Sequence, residues 1–136
     1  KEFAPVFFGV DGMDGILSVK NFDTSLAEGV MLLTPFSATE EGSKAFTDAY
    51  VAAYGIEPNQ FAADAYDAVY AIKAAAEEAG ISPDMDASAI CDAMKTAMTK
   101  ITIDGLTGDG MTWDAAGETG KAPKAVKIVN GVYEMQ

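Results

Sequence analysis

The chain has 136 residues, with nine Lys, no Arg, no His and 21 acidic residues, and its formal net charge is -12. This charge opposes binding to nucleic acid and to anionic lipid, and the absence of His excludes Ser-His-Asp and Cys-His catalysis and imidazole metal ligands. The single cysteine, Cys91, forms no internal disulfide or thiolate metal site, and no apolar run approaches the roughly 20 residues that span a bilayer. We expect a globular domain without a metal, a cofactor or a nucleic-acid partner.

The amino-terminal third predicts two strands separated by a loop. Residues 1–3 contain no initiator Met, and an apolar segment follows at once, so we expect an internal start within a longer protein. Residues 5–9 are aromatic and β-branched, which predicts a strand buried on both faces, as in a parallel sheet. A glycine-rich loop over 9–15 and a weakly helical stretch over 16–28 lead to a second buried strand at 29–34.

Three helices are predicted next, over residues 40–54, 60–79 and 88–98, because apolar residues recur at helical spacing in each. Gly55 follows the first helix at the position where a left-handed residue ends many helices. Cys91 lies on an apolar face of the third helix, where we expect it to be a small buried hydrophobe.

In the carboxyl-terminal part, apolar residues alternate with polar ones, as in strands, instead of recurring at helical spacing. Residues 101–103 and 111–113 predict short strands, and residues 125–129 and 132–135 flank Asn130-Gly131. An Asn-Gly pair between two apolar runs is a strong signal for a two-residue hairpin turn. The order of strand, helix, strand and several helices predicts an α/β fold.

The glycine-rich loop is the first candidate site, because open α/β sheets bind ligands at the carboxyl ends of parallel strands. The Asp11 carboxylate can accept hydrogen bonds from an ammonium group, and Gly12 allows a ligand to approach the backbone closely. Spacing alone favours the simpler interpretation that Asp11 and Asp14 are plain turn residues. A general acid–base pair of Asp11 and Asp14 is a further alternative, although nothing in the chain supplies an activating base for it.

An aromatic stripe on the second predicted helix holds Phe61, Tyr66 and Tyr70. Such a stripe usually packs in the core. Phe61 differs because it lies at the first turn of the helix, where its ring can reach past the helix end into a cleft. Phe61 is therefore the second candidate for a ligand contact.

Five segments match the motifs of one known family in that family's order. The most specific is the segment at residues 61–69, which reads FAADAYDAV; the others are PVFFGVDG at 5–12, EGVM at 28–31, FTDAY with YGIEP at 46–58, and GLTG with MTWD and Gly117 at 105–117. Together they resemble the branched-chain amino-acid (leucine/isoleucine/valine) binding family of the type I solute-binding proteins of ABC transporters.

This resemblance implies two Rossmann-like α/β lobes, each a three-layer sandwich, of which the chain is an incomplete fragment. In the family, residues 1–33 belong to the second lobe with its ligand loop, residues 34–124 to the first lobe, and residues 125–136 to strands that cross back. The resemblance also implies that Asp11 takes the ligand's ammonium group and that Phe61 packs on the ligand. Family members often carry Glu where this chain has Asp11, which leaves the preferred ligand open.

The implied function is capture of an amino acid, branched-chain or otherwise aliphatic, for the permease subunits of an ABC transporter, without catalysis. The implied location is periplasmic or extracellular, either free or lipid-anchored. The alternatives are a ligand-sensing receptor or regulator module on the same fold, and a hydrolase that uses Asp11 and Asp14. Incomplete lobes leave strand edges and helix faces uncovered, so we expect the isolated chain to self-associate, as a dimer or by swapping, and to bind ligand weakly or not at all.

Overall fold

The computed structural model describes residues 5–136, which form two compact units. Unit 1 holds the described residues up to Gln60 together with Pro123–Gln136, and unit 2 holds Phe61–Ala122. The assignment of residues 1–33, 34–124 and 125–136 to the lobes of a larger protein stays a prediction.

Unit 1 contains a four-stranded sheet whose strands lie side by side in chain order. Strand β1 (Phe8–Gly9) pairs in parallel with β2 (Met31–Thr34), which pairs antiparallel with β3 (Lys124–Val129), and β3 pairs antiparallel with β4 (Val132–Met135). The predicted hairpin is confirmed, because Asn130 and Gly131 join β3 to β4 with φ values of 52° and 76°.

The core of unit 1 lies against the central strands. Leu32 of β2 and two alternating residues of β3, Val126 and Ile128, are fully or almost fully buried, and they pack with Ala27 and Val30. The alternation follows from the period of two along a strand, which sends every second side chain to the same face.

The prediction of a buried strand over residues 5–9 is wrong in extent and burial. Only Phe8–Gly9 form a strand, and the exposed fractions of Val6, Phe7 and Phe8 are 82%, 62% and 57%. A strand is buried on both faces only where layers cover both sides of its sheet, and β1 is an edge strand with one neighbour. The weakly helical stretch that follows contains 3₁₀ turns at Ile16–Ser18 and Thr24–Ala27.

The three predicted helices are confirmed as α1 (Lys44–Tyr54), α2 (Gln60–Ala79) and α3 (Ala87–Met98). Gly55 ends α1 with φ 74°, as predicted, and the Asp86 carboxylate begins α3 by accepting a hydrogen bond from the Ala89 N–H at 2.8 Å. Across residues 5–136, none of the helices has both the length and the apolar character that crossing a membrane requires.

The buried face of α2 differs from the predicted one. Tyr66 and Tyr70, expected in the core, are 42% and 51% exposed, whereas the buried face carries small or polar residues at every fourth position, namely Ala63, Asp67, Ala71 and Ala75. Helix α2 is apolar on both faces, so the spacing of apolar residues does not show which face is buried. The face with the small alanines is the buried one, because alanine lets the neighbouring backbone approach closely. Cys91 is also exposed rather than buried, since α3 packs through Ala97.

A buried carboxylate joins α2 to a second glycine-rich loop, residues 105–110, which belongs to unit 2. Asp67 is 5% exposed and accepts three hydrogen bonds, from the Leu106 N–H at 2.9 Å, the Thr107 N–H at 2.8 Å and the Thr107 hydroxyl at 2.7 Å. A Cβ on Gly105 would lie 2.6 Å from this carboxylate. Nearby, isolated bridges between Ile103 and Met111 and between Trp113 and Thr119 replace the predicted short strands.

Candidate functional site

The loop after β1 is a tight turn whose shape depends on a glycine. Asp11–Met13 form a 3₁₀ turn, in which the Asp14 N–H donates to the Asp11 carbonyl at 2.9 Å. A Cβ on Gly9 would lie 2.3 Å from the Met13 sulfur, so the absence of a side chain at Gly9 lets Met13 fold back on the strand. Gly9 thus allows Met13 to pack against β1.

Asp11 and Gly12 lie together on the exposed side of this turn. A Cβ on Gly12 would meet nothing within 4 Å, and Gly12 has no positive φ that would demand glycine. Neither local sterics nor backbone conformation therefore explains Gly12. The turn presents an accessible carboxylate beside open space, which is the arrangement that a bound ammonium group needs.

Asp14 has a different environment from Asp11. Its Oδ1 accepts a hydrogen bond from the Gly15 N–H at 2.8 Å, and its Oδ2 accepts one from the Gln60 N–H at 2.7 Å. Gln60 is the first residue of α2, so the carboxylate satisfies a main-chain donor at a helix N-terminus, where negative charge is also favourable. Both oxygens of Asp14 hold main-chain groups, which gives the acid–base pair no support.

Gln60 is a site residue that the sequence reasoning missed. It is 1% exposed, its Nε2 donates to the Asp11 carbonyl at 2.8 Å, and its Oε1 lies 3.2 Å from the donating hydroxyl of Thr34. In the sequence, Gln60 stands out only as the polar residue directly before the segment FAADAYDAV. It is the first residue of the predicted helix, a position that suggests no further role.

Tyr133 of β4 supports the loop from the sheet. Its hydroxyl accepts a hydrogen bond from the Gly15 N–H at 3.2 Å. Burial and the nearby Asp14 carboxylate raise the pKa of Tyr133, in that order of importance, so the phenol stays neutral well above physiological pH. The hairpin at the end of the chain therefore contributes a neutral hydrogen-bonding group to the loop.

Phe61, the other predicted ligand contact, belongs to unit 2 and is 49% exposed at the first turn of α2. It follows Gln60 directly in the sequence, at the point where the chain passes from one unit to the other. The structure thus brings Asp11, Gly12 and Gln60 together in unit 1, and the role of Phe61 stays a prediction.

Unit 1 also contains a cavity of about 380 Å³, lined by Asp14, Gly15, Thr34 and Tyr133 among others, but not by Asp11 or Gly12. Within the part of the chain that the structure describes, no group of three or more His, Cys, Asp or Glu side chains is placed to hold a metal ion.

Several proteins of known structure are similar to this chain in fold. The substrate-binding protein LivJ of a branched-chain amino acid transporter from Streptococcus pneumoniae, solved with isoleucine, is 30% identical over 96% of this chain with a TM-score of 0.75. The leucine-binding protein LivK from Thermotoga maritima is 23% identical over 98% of the chain with a TM-score of 0.73, and a solute-binding protein of R. palustris, solved with benzoate, is 17% identical over 96% with a TM-score of 0.74. No curated protein sequence matches the chain.

The chain covers 36%, 37% and 34% of these three proteins, so it spans about a third of their length. The likeness in fold confirms the predicted α/β architecture of the type I periplasmic binding proteins. The sequence model described as "Periplasmic binding protein" matches residues 10–131, which is most of the chain. The chain therefore belongs to the periplasmic binding protein family.

Proposed function

We propose that this chain is part of an extracytoplasmic solute-binding protein that captures a branched-chain or other aliphatic amino acid for an ABC importer. The observation that carries the proposal is the family match over residues 10–131, together with the 30% identity to a protein solved with isoleucine. The proposed location is the periplasm or the cell exterior, free or lipid-anchored, and the proposed protein partner is the transporter's permease.

In this proposal Asp11 binds the ammonium group of the amino acid, Gly12 leaves room for the ligand beside the turn, and Phe61 packs on the ligand. The exposed carboxylate of Asp11 and the open space at Gly12 support the first two roles. An ammonium–carboxylate contact becomes strong when closure of a cleft removes water from it. Phe61 is 49% exposed, which leaves apolar surface that a ligand could cover.

The proposed protein binds its ligand without chemical change. Asp14, the second carboxylate of the loop, uses both oxygens on the main-chain N–H groups of Gly15 and Gln60. The sequence also contains no His that could serve as a base or activate a nucleophile.

Calorimetric titration of the whole protein with leucine, isoleucine and valine tests the proposal. We expect Asp11→Asn to weaken binding by roughly 10- to 100-fold, as the loss of a hydrogen bond between charged groups implies. Asp109→Asn is the matched control, because Asp109 is also an exposed carboxylate in a glycine-rich loop, and it should change affinity less than about twofold. Failure of all three amino acids to bind, or equal losses in the two variants, would refute the proposal.

We also propose that the isolated 136-residue chain self-associates through exposed apolar surface. Phe7 and Phe8 are 62% and 57% exposed at the edge strand β1, whose free main-chain groups invite strand pairing. Light scattering over a dilution series should show a concentration-dependent dimer that Phe8→Lys weakens. Leu26→Lys is the control, since Leu26 is 74% exposed but lies outside the strands. A monomer at every concentration would contradict this proposal.

A further inference from the structure

Gln60 connects three parts of unit 1 through one buried residue. Its main-chain N–H donates to the Asp14 carboxylate at 2.7 Å, its side-chain Nε2 donates to the Asp11 carbonyl at 2.8 Å, and its Oε1 accepts from the Thr34 hydroxyl at 3.2 Å. These contacts tie the turn after β1 to the end of β2 and to the start of α2.

The chemistry of this position calls for glutamine. The Asp11 carbonyl accepts the Asp14 N–H and, as a second bond, the Gln60 Nε2, while the Thr34 hydroxyl lies within hydrogen-bond distance of both the Gln60 Oε1 and the Phe36 carbonyl. An amide offers a donor and an acceptor from one planar group, so it can meet both the carbonyl and the hydroxyl. An apolar side chain of similar length would remove this second bond to the Asp11 carbonyl, and a carboxylate would bury a charge at a position that is 1% exposed.

The bond to Asp11 acts on the main chain, not on the carboxylate. Asp11 opens the 3₁₀ turn, so fixing its carbonyl fixes the direction in which its side chain leaves the backbone. Since the Asp11 side chain is exposed, packing around the carboxylate does not supply this order. A group held in its binding orientation before the ligand arrives loses less conformational freedom on binding.

We propose that Gln60 is a positioning residue for ammonium recognition: it holds the Asp11 main chain so that the carboxylate is preorganised for the ligand. This inference rests on the proposed function for its ligand and on the geometry of unit 1 for its mechanism. The neighbouring residue Phe61 plays no part in it.

A double-mutant cycle tests the proposal, with leucine as the probe and the whole protein as the sample. We expect Gln60→Met to weaken leucine binding about tenfold when Asp11 is present, an effect the size of one lost hydrogen bond, and less than about twofold in the Asp11→Asn background. A Gln60 that merely stabilised the fold would weaken binding equally in both backgrounds, and that result would overturn the proposal.

Hydrogen exchange without ligand separates this inference from the proposed function. Gln60→Met should speed exchange of the Met13 and Asp14 amides, which close the turn, at least tenfold, while the Ile128 amide within the sheet keeps its protection. Thr107→Val, which removes a buried hydroxyl of unit 2, should leave the turn amides unchanged.

Turn amides that exchange at the wild-type rate in Gln60→Met would overturn the inference, whatever the ligand. Faster turn exchange in a protein that binds no leucine would support the role of Gln60 in holding the turn and would count against the proposed function alone.

Discussion

Replacement of Asp67 by Asn tests how much the hydrogen bonds between α2 and residues 106–107 contribute to stability. The Oδ1 atom accepts one main-chain N–H, from Leu106, and Oδ2 accepts the N–H and the hydroxyl of Thr107. An asparagine keeps only one oxygen. If that oxygen serves Thr107, the amide NH₂ faces the N–H of Leu106 at about 2.9 Å, donor against donor.

The expected cost follows from these contacts. A hydrogen bond to a charged group contributes about 1.5–3 kcal/mol, and a buried donor left without an acceptor costs about 1–3 kcal/mol. Asp67 is 5% exposed, so water does not replace the lost acceptor at low cost. We therefore expect Asp67→Asn to lower the free energy of unfolding by roughly 3–5 kcal/mol, a large part of the 5–15 kcal/mol typical of a domain.

Urea unfolding followed by circular dichroism measures this loss. Asp92→Asn is the matched control, because Asp92 is an exposed aspartate on α3 of the same unit, and it should shift the free energy by less than about 0.5 kcal/mol. Equal stability of Asp67→Asn and Asp92→Asn would refute the reasoning, since the three bonds to the carboxylate would then contribute nothing to the folded state.

Two further predictions concern the loop of unit 1. Gly9→Ala should lower the free energy of unfolding in urea by about 1–3 kcal/mol, because the added Cβ would lie 2.3 Å from the Met13 sulfur. The control Gly12→Ala, whose Cβ meets nothing within 4 Å, should lower it by less than about 0.5 kcal/mol. Equal losses in the two variants would contradict this prediction. Tyr133→Phe should cost about 1 kcal/mol at pH 7 through the lost bond to Gly15. Because the pKa of Tyr133 is raised in the folded state, its contribution to the free energy of unfolding is complete below about pH 10 and is lost as the pH rises through the folded pKa. The difference in free energy of unfolding between the wild type and Tyr133→Phe should therefore become smaller above about pH 10. A difference that stays constant from about pH 8 to 11 would refute this prediction.

The elements that the sequence predicts well are those that local chemistry determines. Asn130-Gly131 needs no distant partner to favour a hairpin turn, and Gly55 ends α1 because it adopts a left-handed conformation without a Cβ penalty. The parallel pairing of β1 with β2 was also predictable, because the two runs are short, apolar and separated by a connection long enough to cross over.

The face that a helix buries was not predictable in α2. Tyr66 and Tyr70 carry more apolar area than Ala71 and Ala75, yet the alanines are the buried residues. Periodicity reports which faces are apolar, while burial depends on which surface meets a neighbour, and that is a property of the tertiary fold. The exposure of Phe8 has the same origin, since burial on both faces needs a second covering layer.

The candidate site was predictable in part. Asp11 and Gly12 follow a predicted strand, and loops of this kind carry ligand sites in α/β folds. The roles of Asp14 and Gln60 depend on a contact between residues 46 positions apart in sequence, which a single sequence does not reveal. This separation explains why the sequence pairs Asp14 with Asp11 and does not show that Asp14 binds the first main-chain N–H of α2.

The exposed thiol of Cys91 has a practical consequence for all experiments on this chain. It is the only cysteine in the 136 residues, and it lies on α3 in unit 2. Under oxidising conditions two copies can cross-link through it, so light scattering should use Cys91→Ser or a reductant. The same thiol accepts one fluorophore at a known position. Combined with a second cysteine introduced on the exposed side of unit 1, it would let energy transfer follow the distance between the two units in solution.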